Sequence, residues 1–217
     1  MSILLLSQQS YMLSKPFQLI GIVGHANTGK DSIAEYISNS LSQDVWIHPF
    51  AWFLKGAAAE AFGIPFDAFI NREQKENKDP VWGVSPREIA QYVGTEMFRE
   101  LDSDFWIYRL KGHLEGRLDT ELNSDDRAKE GDVIVIPDVR FENEVNFILC
   151  NGGQLIHLTR PVPEAQGNVG IEGHASEAGI SSGTLASMYH IHNSGTLEEL
   201  YLEVDKFIDT QLTHLNY

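Results

Sequence analysis

Short apolar runs alternate with amphipathic stretches along nearly the whole chain. Residues 19–23 form a continuous apolar run, and Ile33, Ala34, Ile37 and Leu41 then recur at helical spacing, which predicts a strand followed by a helix to about Ser42. Residues 45–50 read as a second strand, and the alanine-rich stretch 51–62 as a helix stopped by Gly63. Residues 64–84 have no clear period and contain two prolines, the pattern of an ordered excursion. Ser85-Pro86-Arg87-Glu88 combines a capping hydroxyl, a first-turn proline and the glutamate of a capping box. It predicts a helix to about Glu100, with Ile89, Val93 and Met97 inward and Arg87, Gln91, Thr95 and Arg99 along one polar stripe. A further helix follows Asp104, turning Trp106, Leu110 and Leu114 to the core, and residues 113–131 are polar and loop-like.

The second half repeats the alternation. Residues 132–136 are a β-branched run ending at Pro137-Asp138-Val139-Arg140, residues 143–150 are helical up to Gly152-Gly153, and residues 155–159 are a strand closed by Arg160-Pro161. Residues 161–183 are rich in glycine and proline, the composition of a lid or long loop. A last strand spans 188–192. Thr196-x-x-Glu199 caps a final helix that buries Leu197, Leu200, Tyr201, Val204, Phe207, Ile208 and Leu212. Strands alternating with helices predict an α/β fold, a parallel sheet covered on both faces. Ligands of such sheets bind at the carboxyl ends of the strands. The loop after residue 23, Asp138 with Arg140, Arg160 and Asn193 all fall there.

That first loop reads Gly24-His-Ala-Asn27-Thr28-Gly29-Lys30-Asp31-Ser32. A strand, a glycine loop with a lysine and then a helix is the context of a phosphate loop: backbone N–H groups surround phosphate oxygens, and the lysine adds a mobile charge. Asp31 stands where a magnesium-binding Ser or Thr is usual. The bland alternative is a glycine turn leading into a surface helix.

Composition narrows the partners. The 217 residues suit one domain, and 42% hydrophobic content is ordinary for a globular protein. A formal charge of −15 argues against stable nucleic-acid binding and against an anionic membrane surface, but leaves room for a local basic pocket. The single cysteine, Cys150, cannot form an internal disulfide, and it sits in an apolar helical run as a small hydrophobe. No run reaches the length of a membrane span and residues 1–16 lack a basic leader, so a cytoplasmic location is expected, with 1–16 as a loose extension of a domain spanning 17–217.

Candidate chemistry then sorts by charge. Lys30 is a donor-phosphate cation. Asp31 either helps hold Mg²⁺ or satisfies the helix dipole, and Asp138 either helps hold Mg²⁺ or caps a turn or helix. Arg87, Arg99 and Arg140 match a phosphate through bidentate geometry, although Arg87 and Arg99 have neighbouring glutamates (Glu88, Glu96, Glu100) that offer surface pairs instead. Arg160 is placed to compensate developing charge. Trp82, Phe105 and Trp106 can stack a base or simply pack. His25 touches a ligand or fills the loop, and His190 with His192 lacks a third ligand at suggestive spacing for zinc.

Taken together, the loop 24–32, Ser85-Pro-Arg-Glu with Gly94-Thr-Glu and Arg99, Asp104-Phe-Trp106, Pro137-Asp-Val-Arg-Phe-Glu-Asn-Glu144 with Gly152-Gly153, and His174-Ala-Ser-Glu177 resemble the bacteriophage deoxynucleoside monophosphate kinases over most of residues 18–210. The resemblance implies a P-loop NTPase fold with a helical substrate-binding part at about 51–118 and a lid at about 160–183. It implies transfer of the ATP γ-phosphate, with Mg²⁺, to a dNMP in the host cytoplasm. The family pattern would give ATP to Gly24, Asn27, Thr28, Gly29, Lys30, Asp31 and Ser32, with Asn193 on the adenine side. It would give the acceptor to Arg87, Arg99, Trp106, Asp138 and Arg140, catalysis to Lys30, Arg140 and Arg160, and the lid to Arg160, His174 and Glu177. Asp31 and Asp138 remain the metal candidates. A homodimer is the default oligomer. The competing readings are a P-loop kinase of a non-nucleotide metabolite, such as a phosphomevalonate or dephospho-coenzyme A kinase, and a nucleotide-dependent binding module.

Overall fold

The sheet is built from period-two alternation in its central strand. In β1 (Gln18–Val23), Leu19 and Val23 face one layer of helices while Ile20 and Ile22 face the other. The computed structural model describes residues 10–118, 127–161 and 179–212. Five strands run in the order β2 (Val45–Ile47), β3 (Val133–Val139), β1, β4 (Gln154–Thr159), β5 (Tyr189–His192), and every pairing is parallel. One face is covered by α1 (Lys30–Ser40) and, at the carboxyl end of the chain, α9 (Leu197–Gln211), through Ile33, Ile37, Val204 and Phe207. The other is covered by α2 (Phe50–Phe62), α6 (Phe105–Leu114) and α7 (Glu142–Cys150), through Phe50, Trp106, Leu110, Phe147 and Ile148.

A smaller third core lies under the helical excursion. It joins Ala58 of α2, Phe69 of α3 (Phe66–Ile70) and Ile89 of α4 (Pro86–Gln91) with Ile64 and Val93. Between α3 and α4 the chain makes a 3₁₀ turn, Gln74–Glu76. Ser85 and Glu88 form the expected capping box at the start of α4.

Several expectations are corrected. The helix after Ser85 is not uniform: α4 passes through a π-turn, Tyr92–Met97, into α5 (Phe98–Leu101). The wider turn shifts the phase, so Met97 is 49% exposed and Phe98 packs inward against Phe105 and Trp106. β2 stops at Ile47. His48 still donates its N–H to Val135, but Pro49 has none to give and Phe50 opens α2. β3 runs on through Pro137 and Asp138 to Val139, with a register shift against β1 between Gly21 and Val23 that accommodates the proline. Leu197 is half exposed at the start of α9. Residues 10–16 are docked rather than loose: Tyr11 is buried, its hydroxyl donates to Asp104, and Leu13 N–H donates to the Asn151 side chain. Most of the expected lid, with His174 and Glu177, lies outside the described residues. Its last part includes the short helix α8 (Ser182–Ala186), capped by Ser181.

Candidate active site

The turn after β1 is shaped by backbone rather than by side chains. Gly29 has φ 105° and Asn27 φ 61°, left-handed conformations of the kind from which anion-binding nests of backbone amides are built. A Cβ on Gly24 would lie 2.5 Å from the Leu158 carbonyl, so β4 allows no side chain there. Thr28 is buried and its hydroxyl donates to the His25 carbonyl. α1 begins at Lys30, with its N-terminus open toward the loop. Lys30 Nζ donates to the His25 carbonyl at 2.6 Å, folded back across the loop. Burial, and then the Arg140 charge, lower its pKa to about 8, while Asp31 and Asp138 pull it up. Ser32 is half-buried in the first turn of α1.

Two cavities lie at this end of the sheet, and only the smaller one reaches the turn. The smaller, about 110 Å³, is lined by Gly24, His25, Ala26, His157, Arg87 and Arg140 among others. The larger, about 430 Å³, lies over the ends of β2 and β3 under the helical excursion. Its charged lining is Asp31, Lys55, Lys75, Arg87, Arg99, Asp138, Arg140 and Glu144. Arg87 and Arg140 belong to both cavities. Five of the sixteen basic side chains of a chain with net charge −15 thus line one cavity.

The arginines are held in different ways. Arg87 pairs with Glu76 across the excursion, not with the glutamates next to it in sequence. Arg99 reaches Glu144 Oε1 at 3.4 Å and Asn143 Oδ1 at 3.1 Å, and its guanidinium lies 3.6 Å from the centre of the Phe141 ring. Arg160 stands exposed at the end of β4, its Nη1 3.4 Å from the Asn27 carbonyl.

The carboxylates are more deeply committed. Asp138 accepts the N–H groups of Phe50 and Ala51 at 2.9 and 2.8 Å, so it caps α2 across the cavity floor. Burial raises its pKa, against the Ala51 N–H and the Arg140 charge. Glu144 is buried and accepts the N–H groups of Arg140 and Phe141. Desolvation lifts it to about 7, with Asp138 adding to the rise and Arg99 opposing it. Asp31 is exposed on the cavity rim.

Two of the expected contacts take other roles. Asn193 is buried, and its side-chain amide donates to the Thr28 carbonyl at 2.8 Å, so it braces the loop from behind instead of facing a nucleotide. Trp106 is a core residue whose indole N–H is taken by the Gly94 carbonyl, leaving only part of it on the cavity. Trp82 packs on Phe62 away from the site, and Phe105 packs on Phe98 and Trp106. The aromatic lining comes from Phe50, Trp52, Phe69 and Phe141 together with the exposed part of Trp106.

Sequence reasoning missed Lys55, Lys75, Trp52 and the buried Glu144. Lys55 did leave a signal: it is the only basic residue in the otherwise mostly apolar α2 sequence, Phe-Ala-Trp-Phe-Leu-Lys-Gly-Ala-Ala-Ala-Glu-Ala-Phe.

Comparison with known proteins bears on this geometry. The family model for deoxynucleotide monophosphate kinase matches residues 53–204. A protein of Acanthamoeba polyphaga mimivirus, provisionally named a deoxynucleotide monophosphate kinase, is 31% identical over 194 residues, which span 88% of this chain and 96% of that protein. The deoxynucleotide monophosphate kinase of Enterobacteria phage T4 is 28% identical over 132 residues, 59% of this chain and 46% of that protein. Among solved structures, an unliganded sugar kinase from Janibacter sp. overlays with a TM-score of 0.35 at 14% identity, covering 89% of this chain and 95% of that one, a likeness too low to argue from.

Proposed function

This chain belongs to the deoxynucleotide monophosphate kinase family, and we propose that it transfers the γ-phosphoryl group of ATP to the phosphate of a deoxynucleoside monophosphate. The observation that carries this reading is the pair of arginines, Arg87 and Arg140, common to the cavity at the glycine turn and to the larger cavity beside it. One cavity suits the donor's phosphates and the other an acceptor with its own anion. Arg87 and Arg140 stand where those two anions meet.

In this reading a phosphate oxygen of the dNMP attacks the γ-phosphorus in line. The new P–O bond forms as the bond from the γ-phosphorus to the β,γ-bridging oxygen breaks, leaving ADP and a dNDP. The chain's task is to position two oxygens and offset charge. Lys30 swings from the His25 carbonyl to the β- and γ-phosphates. Arg140 and Arg160 flank the group in transit, and Arg87 and Arg99 hold the acceptor phosphate. Among the described residues no three His, Cys, Asp or Glu side chains cluster to hold a metal. That donor set fits a magnesium ion that is held mainly by phosphate and water. Asp31 is the carboxylate best placed to help hold it; Asp138 already has an N–H on each oxygen. When bound, the ion would offset charge on the β- and γ-phosphates.

A coupled ATP-consumption assay over all natural dNMPs and NMPs, with phosphomevalonate and dephospho-coenzyme A as further acceptors, tests the reading. Turnover on one or more dNMPs is expected. Turnover confined to the non-nucleotide acceptors, or ATP hydrolysis that no acceptor stimulates, would reject it.

A further inference from the structure

Arg99 is held by a chain of hydrogen bonds that runs back to the amino-terminal segment 10–16. Its Nη2 donates to Asn143 Oδ1 at 3.1 Å, and its Nη1 lies 3.4 Å from Glu144 Oε1. The Asn143 amide cannot turn freely. Its Nδ2 donates to Asp104 Oδ1 at 2.7 Å and to the Ser103 carbonyl at 2.8 Å. A carboxylate and a carbonyl only accept, so they take the NH₂ end of the amide and turn its oxygen to Arg99. Asp104 is fixed in turn by the Tyr11 hydroxyl, which donates to Oδ2 at 2.8 Å.

Tyr11 is anchored on every side. Its buried ring meets Phe147 edge to face. Lys111 donates to the Ser10 and Met12 carbonyls, and Asn151 accepts the Leu13 N–H while donating to the Tyr11 carbonyl. Burial, and then the Asp104 carboxylate, push the phenol pKa up, so the hydroxyl keeps the proton it donates. Tyr11, Asp104 and Asn143 line neither cavity, whereas Arg99 lines the larger one. An effect of these residues on a ligand therefore passes through Arg99. Two of its five N–H groups are engaged with Asn143 and Glu144, which leaves others for the cavity. Were the amide reversed, it would present N–H to the guanidinium, and Arg99 would turn to the Glu144 carboxylate instead.

We propose that Tyr11 and Asp104 are positioning residues, acting through Asn143 to hold the Arg99 guanidinium open toward the larger cavity. The amino-terminal segment is thereby a working part of the site. The proposal rests on the kinase reading for the anion that Arg99 meets.

The variants Tyr11→Phe and Asp104→Asn test it, alone and combined with Arg99→Ala, with thermal melts to establish that each folds. Asp104→Asn keeps the shape but sets an N–H against the Asn143 amide and favours its reversal. In the free protein, ¹⁵N relaxation of the Arg99 Nε–H group, assigned by its loss in Arg99→Lys, reads the guanidinium directly. Its order parameter is expected to fall below about 0.6 in Asp104→Asn, and to fall less in Tyr11→Phe. The KM for a dNMP should rise roughly tenfold in Asp104→Asn and about threefold in Tyr11→Phe, with the KM for ATP within about twofold of wild type. In the Arg99→Ala background both penalties should vanish. An Arg99 order parameter unchanged in Asp104→Asn, or a dNMP penalty that persists in full without Arg99, would overturn the proposal. Lost order in Asp104→Asn with a dNMP KM that Arg99→Ala itself leaves unchanged would reject the place of Arg99 in the kinase reading and leave its positioning standing.

Discussion

At the scale of single residues the site is a matter of which charges are already paired. Lys30 rests on a backbone carbonyl, a neutral acceptor that leaves its charge without a counter-ion there. Its pKa of about 8 in the free protein means that the ammonium is mostly charged at pH 7 and mostly neutral by pH 9. In the proposed reading, phosphate in the loop restores the charge, so ATP binding above pH 8 takes up a proton. The Kd for ATP is therefore expected to rise by up to about tenfold per pH unit above pH 8, and to be nearly independent of pH across the same range in Lys30→Met, whose affinity is lower throughout. Titration calorimetry at pH 7, 8 and 9 measures this. A wild-type Kd that stays flat over those points would show that Lys30 does not meet the phosphates.

At the scale of elements, most of what builds the sheet was legible in the sequence, because it is local. Apolar runs 19–23, 132–136 and 155–159 became strands with ends displaced by a few residues. The capping boxes at Ser85 and Thr196 formed as their spacing implied. What was not legible depends on partners distant in sequence. Asp138 beside Pro137 reads as a metal ligand or as a turn or helix cap, and nothing local identifies the start of α2, 88 residues away, as the helix it caps. Lys55 reads as one stray charge until four other cations arrive around it. The π-turn is a second such case. A helical repeat of 3.6 puts Met97 in the core, but the extra residue in the turn exchanges it for Phe98. The two predictions are opposite, and urea denaturation separates them. Met97→Lys should change stability by less than about 0.5 kcal/mol, as at an exposed site. Phe98→Ala should cost about 2 kcal/mol, less than for a fully buried ring because Phe98 is only partly covered. A large loss in the first variant and none in the second would restore the regular helix.

At the scale of the whole molecule, an acidic chain concentrates positive charge in one cavity and places buried carboxylates beneath it. Glu144 carries the clearest consequence for stability. Its pKa is raised from 4.5 unfolded to about 7 folded, chiefly by desolvation. Between those values the folded state binds the extra proton, so this group's contribution is fully present below pH 4.5 and is lost as pH rises through 7. Glu88, Glu115 and Glu142 are shifted the other way, each accepting a hydrogen bond from a backbone N–H group, and lose their contribution as pH falls. The net profile of the wild type therefore mixes both signs, and the difference from Glu144→Gln isolates one. Relative to that variant, the wild type is expected to lose roughly 3 kcal/mol of unfolding free energy between pH 4.5 and pH 7.5, measured by denaturant melts at half-unit steps. Parallel profiles for the two proteins would mean that Glu144 is ionised throughout, held by Arg99 more firmly than its burial opposes. In that case the guanidinium would be committed to Glu144 and less available to an incoming phosphate. The same pair of proteins thus reports, without any substrate, how much of the cavity's positive charge is free to bind an acceptor.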